Sequence, residues 1–254
     1  MRLLTNLETD MQANISAIII AKNEQDMIEP ALKSLDFVEE IIVIDNDSSD
    51  NTVNIAKKYK AKVFYDDADR FDSLREKGLK KAKQDWVLYL DADERISESL
   101  KKEIIKVIKS SRKSAFYIKR KNYFLGTRMY DDKVQRLFQK DLLKRWKGQV
   151  HETPVFKGEA GTLNNYIDHY THRDIFSMLE KTNRWSEIEA KLRYETNHPP
   201  IKVWRIFRIM ITETYHQFTK KKVHKYGMAG WIEGLFQIID KIIVYIKLWE
   251  LQQK

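Results

Sequence analysis

The chain has 254 residues, 43% hydrophobic and 33% charged, with eight Gly and four Pro; that is enough core for one large domain or a domain with an appendage, and it is unlike a collagen-like, low-complexity or disordered chain. It contains no cysteine, which excludes disulfide scaffolds, Cys-zinc sites, iron–sulfur clusters and thiol nucleophiles and fits a reducing compartment. A formal charge of +9 and a pI near 9.3 point to an acidic partner, whether nucleic acid, anionic lipid or a phosphorylated substrate.

In chain order, a polar leader over residues 1–12 precedes an apolar run from Ile15 to Ala21 that closes at Lys22-Asn23-Glu24 and is too short for a secretory h-region or a membrane span. Ile15 to Ile20, Glu40 to Ile44, Ala61 to Tyr65 and Trp86 to Leu90 read as buried strands, being β-branched or aromatic and bounded by polar turns. Helical segments alternate with them: Asp26 to Leu35 with Pro30 early, Asn51 to Tyr59 with Asp50 as N-cap, Ser73 to Lys83, and Glu98 to Ser110 with Ser97 as N-cap. Strand–helix alternation predicts a parallel sheet with right-handed crossovers, whose ligands bind beyond the C-terminal ends of the strands.

From Ser114 the pattern becomes short strands, Ala115 to Tyr123, Val134 to Gln139, Gln149 to Phe156 and Leu163 to Tyr170, a mixed or antiparallel extension of the sheet. After Arg173 it is helical, broken at Asn197-His198-Pro199-Pro200. This back third carries +6 of the net charge and four of the six Trp. Trp204, Phe207, Ile211, Tyr215 and Phe218 share one helical face, and Trp231, Leu235, Ile238, Ile242, Ile246 and Trp249 another. Such stripes either face a domain interior or, flanked by Lys202, Arg205, Arg208, Lys220, Lys221, Lys222 and Lys225, dock on an anionic membrane surface.

Several constellations could carry chemistry. Leu90-Asp91-Ala92-Asp93-Glu94 ends a strand with carboxylates at i and i+2, which share a side in extended backbone and suit a hard cation that keeps positions for phosphate oxygens. A solvated turn capping the next helix is the alternative. Ile44-Asp45-Asn46-Asp47-Ser48-Ser49-Asp50 runs a strand into a helix N-terminus, where a carboxylate such as Asp45 can accept hydrogen bonds from a base or ribose. Arg75 could grip a diphosphate bidentately or be simply solvated. Trp146 to Pro154 holds adjacent His151 and Glu152, which point to opposite faces unless the strand bulges. His169 and His172 lack the i, i+4 spacing of a zinc protease helix.

Together, Ile18-Ile19-Ile20-Ala21-Lys22-Asn23-Glu24, Val43 to Thr52 and Leu90-Asp91-Ala92-Asp93-Glu94-Arg95 resemble family-2 glycosyltransferases of the GT-A fold. Gly148, Val150-His151-Glu152 and His169-Tyr170 resemble the branch containing bacterial lipopolysaccharide and lipooligosaccharide core β-glucosyltransferases. The resemblance implies an α/β fold with a mixed, mostly parallel sheet flanked by helices, a catalytic domain over 13–172, and a helical extension over 173–254 facing the acceptor or membrane. It implies transfer of a hexose, glucose above all, from a UDP-sugar to a glycan or glycolipid acceptor in envelope biosynthesis, with inversion, at the cytoplasmic face of the inner membrane.

Residue by residue, it places Asp45 at the nucleotide base with Asp47 beside it, Lys22 and Glu24 near the nucleoside, and Asp91 at the ribose or sugar. Asp93, with Asp91, would hold a divalent cation, Mg²⁺ or Mn²⁺. Arg75 would lie near the donor phosphates, and His151 and His169 at the substrate. The Glu-Asp base motif of other branches is missing, and Glu152, with Asp131, Asp132 and Asp168 as rivals, takes its place as base. A sugar nucleotidyltransferase would need a Gly-rich phosphate loop after the first strand, which Lys22-Asn23-Glu24-Gln25-Asp26 is not. A basic nucleic-acid-binding protein, the reading from another class, would lack a recognised binding motif here, so no nucleic-acid partner is expected. A catalytically inactive scaffold is the third reading.

Overall fold

The computed structural model describes residues 13–68, 70–148, 152–172 and 174–254, so the leader lies outside the described residues. The chain divides into two units, Met1–Arg120 with Asp132–His169, and Lys121–Asp131 with Tyr170–Lys254.

The parallel part of the sheet follows from the apolar runs. Strands β1 (Ala13–Ala21), β2 (Val38–Asp45), β3 (Lys62–Tyr65) and β4 (Trp86–Tyr89) alternate with helices α1 (Ile28–Lys33), α2 (Thr52–Lys58) and α3 (Phe71–Lys81). Parallel pairing joins β1 to β2, β1 to β4 and β2 to β3, with Ala21 opposite Asp45 and Asp45 opposite Tyr65. Successive side chains sort onto two faces. Ile15, Ala17, Ile19, Val43 and Leu88 pack in one core with Ile28 and Leu32 of α1, while Ile18, Ile42, Ile44, Val87 and Tyr89 pack in another with Leu74 of α3. A strand buried on both faces has no position for a polar side chain, hence the uninterrupted Ile15–Ala21 run but for Ser16. Ser16 is buried and donates its hydroxyl to Glu40 at 2.6 Å. Gly78 of α3 seats that helix on β1, since a Cβ there would lie 2.5 Å from Ile18 Cγ2.

Strand β5 (Glu94–Ile96) then leads into α4 (Glu98–Ser110). Ser97 caps α4 by accepting from Leu100 N at 3.3 Å, and the helix buries Leu100, Ile104 and Ile105 against the first core. Each such Leu or Ile contributes about 1.5–3 kcal/mol by leaving water. Strands β6 (Ala115–Phe124), β7 (Thr127–Gln139), β8 (Leu143–Lys147), β9 (Thr153–Phe156) and β10 (Ala160–His172) follow. The eight-stranded sheet has the order β3-β2-β1-β4-β7-β6-β10-β5, with β7 antiparallel to β4 and β10 antiparallel to β5; β8 and β9 form a separate antiparallel pair. The expected α/β architecture, a parallel block with an antiparallel extension, is the observed one.

Three local expectations need correction. Helix α2 starts at Thr52 with Asn51 as its N-cap residue, because the Asp50 carboxylate reaches two residues on and accepts from Thr52 N at 2.9 Å. The strand expected from Val134 begins at Thr127, paired across a tight turn at Gly126 with φ of 78°. The strand expected from Gln149 begins at Thr153, and residues 149–151 lie outside the described residues.

In the second unit, α5 (Ile175–Glu195) is capped by Asp174, which accepts from Ser177 N at 2.7 Å. The two prolines separate it from α6 (Val203–Tyr215); a π-helical turn and a 3₁₀ turn, His216–Lys220 and Val223–Tyr226, lead to α7 (Gly227–Gln253). Ala190, Ile201, Val244, Tyr245 and Leu248 form the core of these helices. Gly230 of α7 lets the Val223 carbonyl approach, since a Cβ there would lie 1.9 Å from its oxygen. Trp204, Phe207, Ile211, Tyr215, Trp231, Leu235, Ile246 and Trp249 are exposed, so the interior reading of the two stripes does not describe these positions. The faces that bury Ala190, Val244 and Leu248 already fill the core between the helices. Among the described residues, no helix is long and apolar enough to cross a membrane.

Candidate active site

The loops leaving the C-terminal ends of β1 and β2 are knitted together by short polar side chains. Asn23, at φ of 55°, accepts from Ser49 N at 2.8 Å, and its own N–H donates to Ser48 Oγ at 3.0 Å. Glu24 N donates to Thr52 Oγ1 at 2.8 Å and Gln25 N to Asp50 Oδ2 at 3.0 Å. Asn46 donates to the Asp66 and Ala68 carbonyls at 2.8 and 3.0 Å, fixing the loop after β3 beside them. Short Asn, Asp and Ser side chains suit this role because they bond neighbouring backbone without long flexible stems. Asp45 sits in this frame at the end of β2 and is buried. Its Oδ2 accepts weakly from Ser48 N at 3.4 Å, while Oδ1 is buried without a hydrogen-bond partner among the described residues. A buried carboxylate oxygen left unmatched costs about 1–3 kcal/mol or more until a donor reaches it. Lys22 and Glu24 follow β1 and are half-buried, and Asp47, at φ of 62°, is exposed.

The Asp91-Ala92-Asp93 segment departs from the expected geometry. Strand β4 ends at Tyr89, and residues 91–94 form a turn closed by Glu94 N donating to the Asp91 carbonyl at 3.0 Å, so the side-by-side placement of i and i+2 on an extended strand does not apply to them. Glu94, fully buried, also accepts from Asp91 N at 3.0 Å, which tightens the turn. Asp91 instead meets two guanidiniums, hydrogen-bonded to Arg136 Nη2 and 3.6 Å from Arg75 Nη2. Partial burial would raise its carboxyl, but the Arg136 and Arg75 charges overcome that and hold it well below the usual carboxylate range. Asp93 faces His169 on β10, with Oδ1 3.6 Å from Nε2; in the β5–β10 register His169 lies opposite Glu94.

Arg75, on α3, is the hub of the site. Its Nε donates to Glu152 Oε1 at 2.6 Å, and its guanidinium lies 4.8 Å from the Trp146 ring centroid and 5.3 Å from that of Tyr89. The Tyr89 hydroxyl donates to the Arg75 carbonyl at 3.1 Å and accepts from Trp146 Nε1 at 3.0 Å, locking the aromatic wall. Arg75 therefore links Asp91 to Glu152. The rival carboxylates have other partners: Asp132 is held bidentately by Arg120 at 2.6 and 2.9 Å, Asp168 pairs in register with Arg95, and Asp131 is paired with Arg128 at 3.1 Å. His151 lies outside the described residues.

Sequence reasoning missed the charges beneath this turn. Arg136 of β7 donates to Glu94 Oε1 at 2.8 Å, and Arg120 of β6 reaches the same oxygen at 3.2 Å. Glu94 adjoins the recognised carboxylates, but its partners are 26 and 42 residues away and leave no local signal. Next to Arg75, a cleft of about 540 Å³ is lined by Arg70, Asp72, Glu76, Arg145, Trp146 and Lys147 among others. For the implied cation, no group of three His, Asp or Glu side chains among the described residues is arranged to hold a metal. Mg²⁺ and Mn²⁺ at a diphosphate need only one or two protein ligands, because phosphate oxygens and water fill the rest. Asp93, with His169 beside it, fits that donor set; Asp91 is already neutralised by two arginines.

Comparison with known proteins places this geometry in a family. The chain is 29% identical over 258 residues to an uncharacterised glycosyltransferase of Rickettsia typhi, covering 94% of this chain and 88% of that protein. It is 21% identical over 252 residues to the lipopolysaccharide core biosynthesis glycosyltransferase LpsC of Rhizobium meliloti, covering 93% and 92%. Among solved structures, Staphylococcus aureus TarS 1–349 in complex with UDP overlays with a TM-score of 0.49 at 16% identity, over 95% of this chain and 91% of that one. The α/β sheet with long C-terminal helices is GT-A-like, as the sequence resemblance implied. The model of the family described as Glycosyl transferase family 2 matches residues 16–158. Because that match starts inside β1 and takes in Asp45, Arg75, Asp91, Asp93 and Glu152, most of the chain and the core of the site fall within it: the chain belongs to glycosyl transferase family 2.

Proposed function

We propose that the protein transfers a hexose, in the first instance glucose, from UDP to a hydroxyl of a glycan or glycolipid acceptor, with inversion, in lipopolysaccharide-type envelope biosynthesis. The observation that carries this reading is the Arg75 bridge, which sets one carboxylate, Glu152, beside the Asp91–Asp93 turn at the C-terminal end of the parallel sheet. Family membership supplies the reaction class, and likeness to LpsC supports the envelope setting.

Asp45 Oδ1 accepts an N–H of the nucleotide base, matching its unsatisfied buried oxygen. Lys22, Glu24 and Asp47 border the nucleoside, and Asp93 with His169 would hold a Mg²⁺ or Mn²⁺ at the diphosphate. When bound, such a cation neutralises charge that develops on the leaving diphosphate. Glu152 Oε1 is occupied by Arg75, which orients the carboxylate, and Oε2 takes the proton of the acceptor hydroxyl. The acceptor oxygen then attacks the anomeric carbon from the face opposite the leaving group, the bond from that carbon to the β-phosphate oxygen breaks, and UDP departs. His169 borders the sugar; His151, outside the described residues, is assigned to the substrate by the family resemblance alone. The location proposed with this reaction is peripheral, on the cytoplasmic face of the inner membrane.

The test is thermal stabilisation by UDP-glucose with Mn²⁺ or Mg²⁺, and metal-dependent release of UDP, for wild type and Asp93→Asn. The reading expects stabilisation that EDTA reduces and a loss in turnover of about 10²–10³-fold in Asp93→Asn, the scale of losing a major electrostatic stabiliser. Near-normal turnover by Asp93→Asn overturns the cation assignment, and failure of every sugar nucleotide to bind overturns the donor.

A further inference from the structure

Helix α6 exposes an apolar ridge. Val203, Trp204, Phe207, Met210, Ile211 and Tyr215 recur at helical spacing, and Trp204, Phe207 and Ile211 are 52%, 58% and 69% exposed. Monomeric soluble proteins seldom leave a contiguous stripe of this kind open, so it marks a surface that something covers.

Charge identifies the occupant. Residues 202–225 contain seven Lys or Arg and one acid, Glu213. That one carboxylate is engaged by Gln217 and His216. Lys202, Arg208, Lys220, Lys222 and Lys225 are exposed, and none forms an ion pair with an acidic side chain among the described residues. Arg205 and Arg208 lie 4.7 and 5.7 Å from the Trp204 ring centroid, and Lys220 lies 5.8 Å from that of Tyr215. Cations stacked on aromatic faces at the edge of an apolar ridge match the polarity gradient of a lipid headgroup layer, where Trp and Tyr sit at the boundary and basic groups meet phosphate. A second copy of the chain is a poor occupant, because a two-fold contact sets the same patch against itself and brings two such sets of cations together. The 13 residues of α6 span about 20 Å, short of the roughly 30 Å hydrocarbon core, so the helix lies in the interface plane.

We infer that α6 and the basic segment Lys220–Lys225 form a docking surface for a bilayer rich in anionic phospholipid, with Trp204, Phe207 and Ile211 seated at headgroup depth. The inference rests on the proposed function only in that a lipid-linked acceptor makes such docking useful; the binding itself needs no turnover.

The test is co-sedimentation with phosphatidylcholine vesicles and with vesicles containing one-quarter phosphatidylglycerol, at low and high salt. It compares wild type, Lys220→Gln/Lys222→Gln/Lys225→Gln, and Trp204→Ser/Phe207→Ser. Wild type is expected to sediment with the anionic vesicles only, and less in high salt. Each basic residue near an anionic surface contributes about a factor of five, so the triple variant should partition roughly 100-fold less. The Trp204/Phe207 variant should keep salt-sensitive attraction and lose the salt-resistant fraction. Equal sedimentation with both vesicle types, none with either, triple-variant binding equal to wild type, or a lipid-free dimer that buries the α6 face overturns the inference. Sugar-nucleotide hydrolysis by the triple variant, measured without lipid, reads the transferase assignment separately.

Discussion

Replacing Arg136 by Met tests the charge arrangement under the Asp91–Asp93 turn. The substitution removes the guanidinium shared by Asp91 and fully buried Glu94 and keeps an apolar side chain in place of the arginine's aliphatic stem. Deleting one partner of a buried pair typically costs about 3–5 kcal/mol. Two features put this case at the low end: Arg120 stays 3.2 Å from Glu94, and the Asp91 side chain, 36% exposed, keeps access to water and to Arg75 at 3.6 Å. The expected loss is therefore about 3 kcal/mol at neutral pH, or roughly 6–12 °C in Tm for a chain of this size.

The sign with pH follows from the depressed carboxyl of Asp91. Its pairing stabilises the fold above the ordinary carboxylate range near pH 4, and that contribution is lost as pH falls through the lower folded value. The variant lacks most of it, so the gap between the proteins should be widest near pH 7 and narrow below about pH 4. Adding Glu94→Gln to Arg136→Met removes the buried charge that Arg120 alone must then balance, so the double variant should lose less than the two single losses together. Urea unfolding followed by tryptophan fluorescence from pH 7 downwards measures all three. A gap below about 1 kcal/mol at pH 7, or one that widens in acid, would refute the argument, since even the weakest buried pairs exceed it on breaking.

Glu152→Gln keeps the shape and an acceptor for Arg75 but loses the base, so transfer should fall about 10²–10⁴-fold with UDP-sugar binding nearly unchanged; if binding falls and transfer survives, Glu152 is structural. Asp45→Asn should weaken UDP binding about 10–100-fold by calorimetry, the scale of one charge-assisted hydrogen bond, with Tm little altered; an unchanged Kd would remove Asp45 from the base site. Gly78→Ala forces a Cβ to within 2.5 Å of Ile18 Cγ2, and overpacking costs about 1–3 kcal/mol, partly offset by about 1 kcal/mol of helix propensity. A Tm at or above wild type would show that α3 shifts freely on β1.

The chain order of the first half was legible because doubly buried parallel strands must be continuous apolar runs, and Ile15–Ala21, Ile41–Ile44 and Trp86–Leu90 admit little else. Helix α4 was legible to the residue, since Ser97 offers the capping oxygen its first turn requires. Asp45, Asp91 and Asp93 were legible as candidates because they follow strand ends, where side chains can meet a ligand, whereas Arg75, on a helix, and Glu152 drew their roles from the family resemblance. Their partners were not. The pairing of Arg75 with Glu152, 77 residues on, and of Arg136 with Asp91 and Glu94, comes from helix α3 and strand β7 being brought beside the end of β4, which no local pattern encodes. The sequence leaves Asp91–Asp93 open between a strand end and a turn, and the Glu94 carboxylate, accepting from Asp91 N, decides for the turn. The apolar stripe of α6 was plain in the sequence, but its exposure was not: period marks which residues share a face, and only the packing of Ala190, Ile201, Val244 and Leu248 decides which face is left to the solvent.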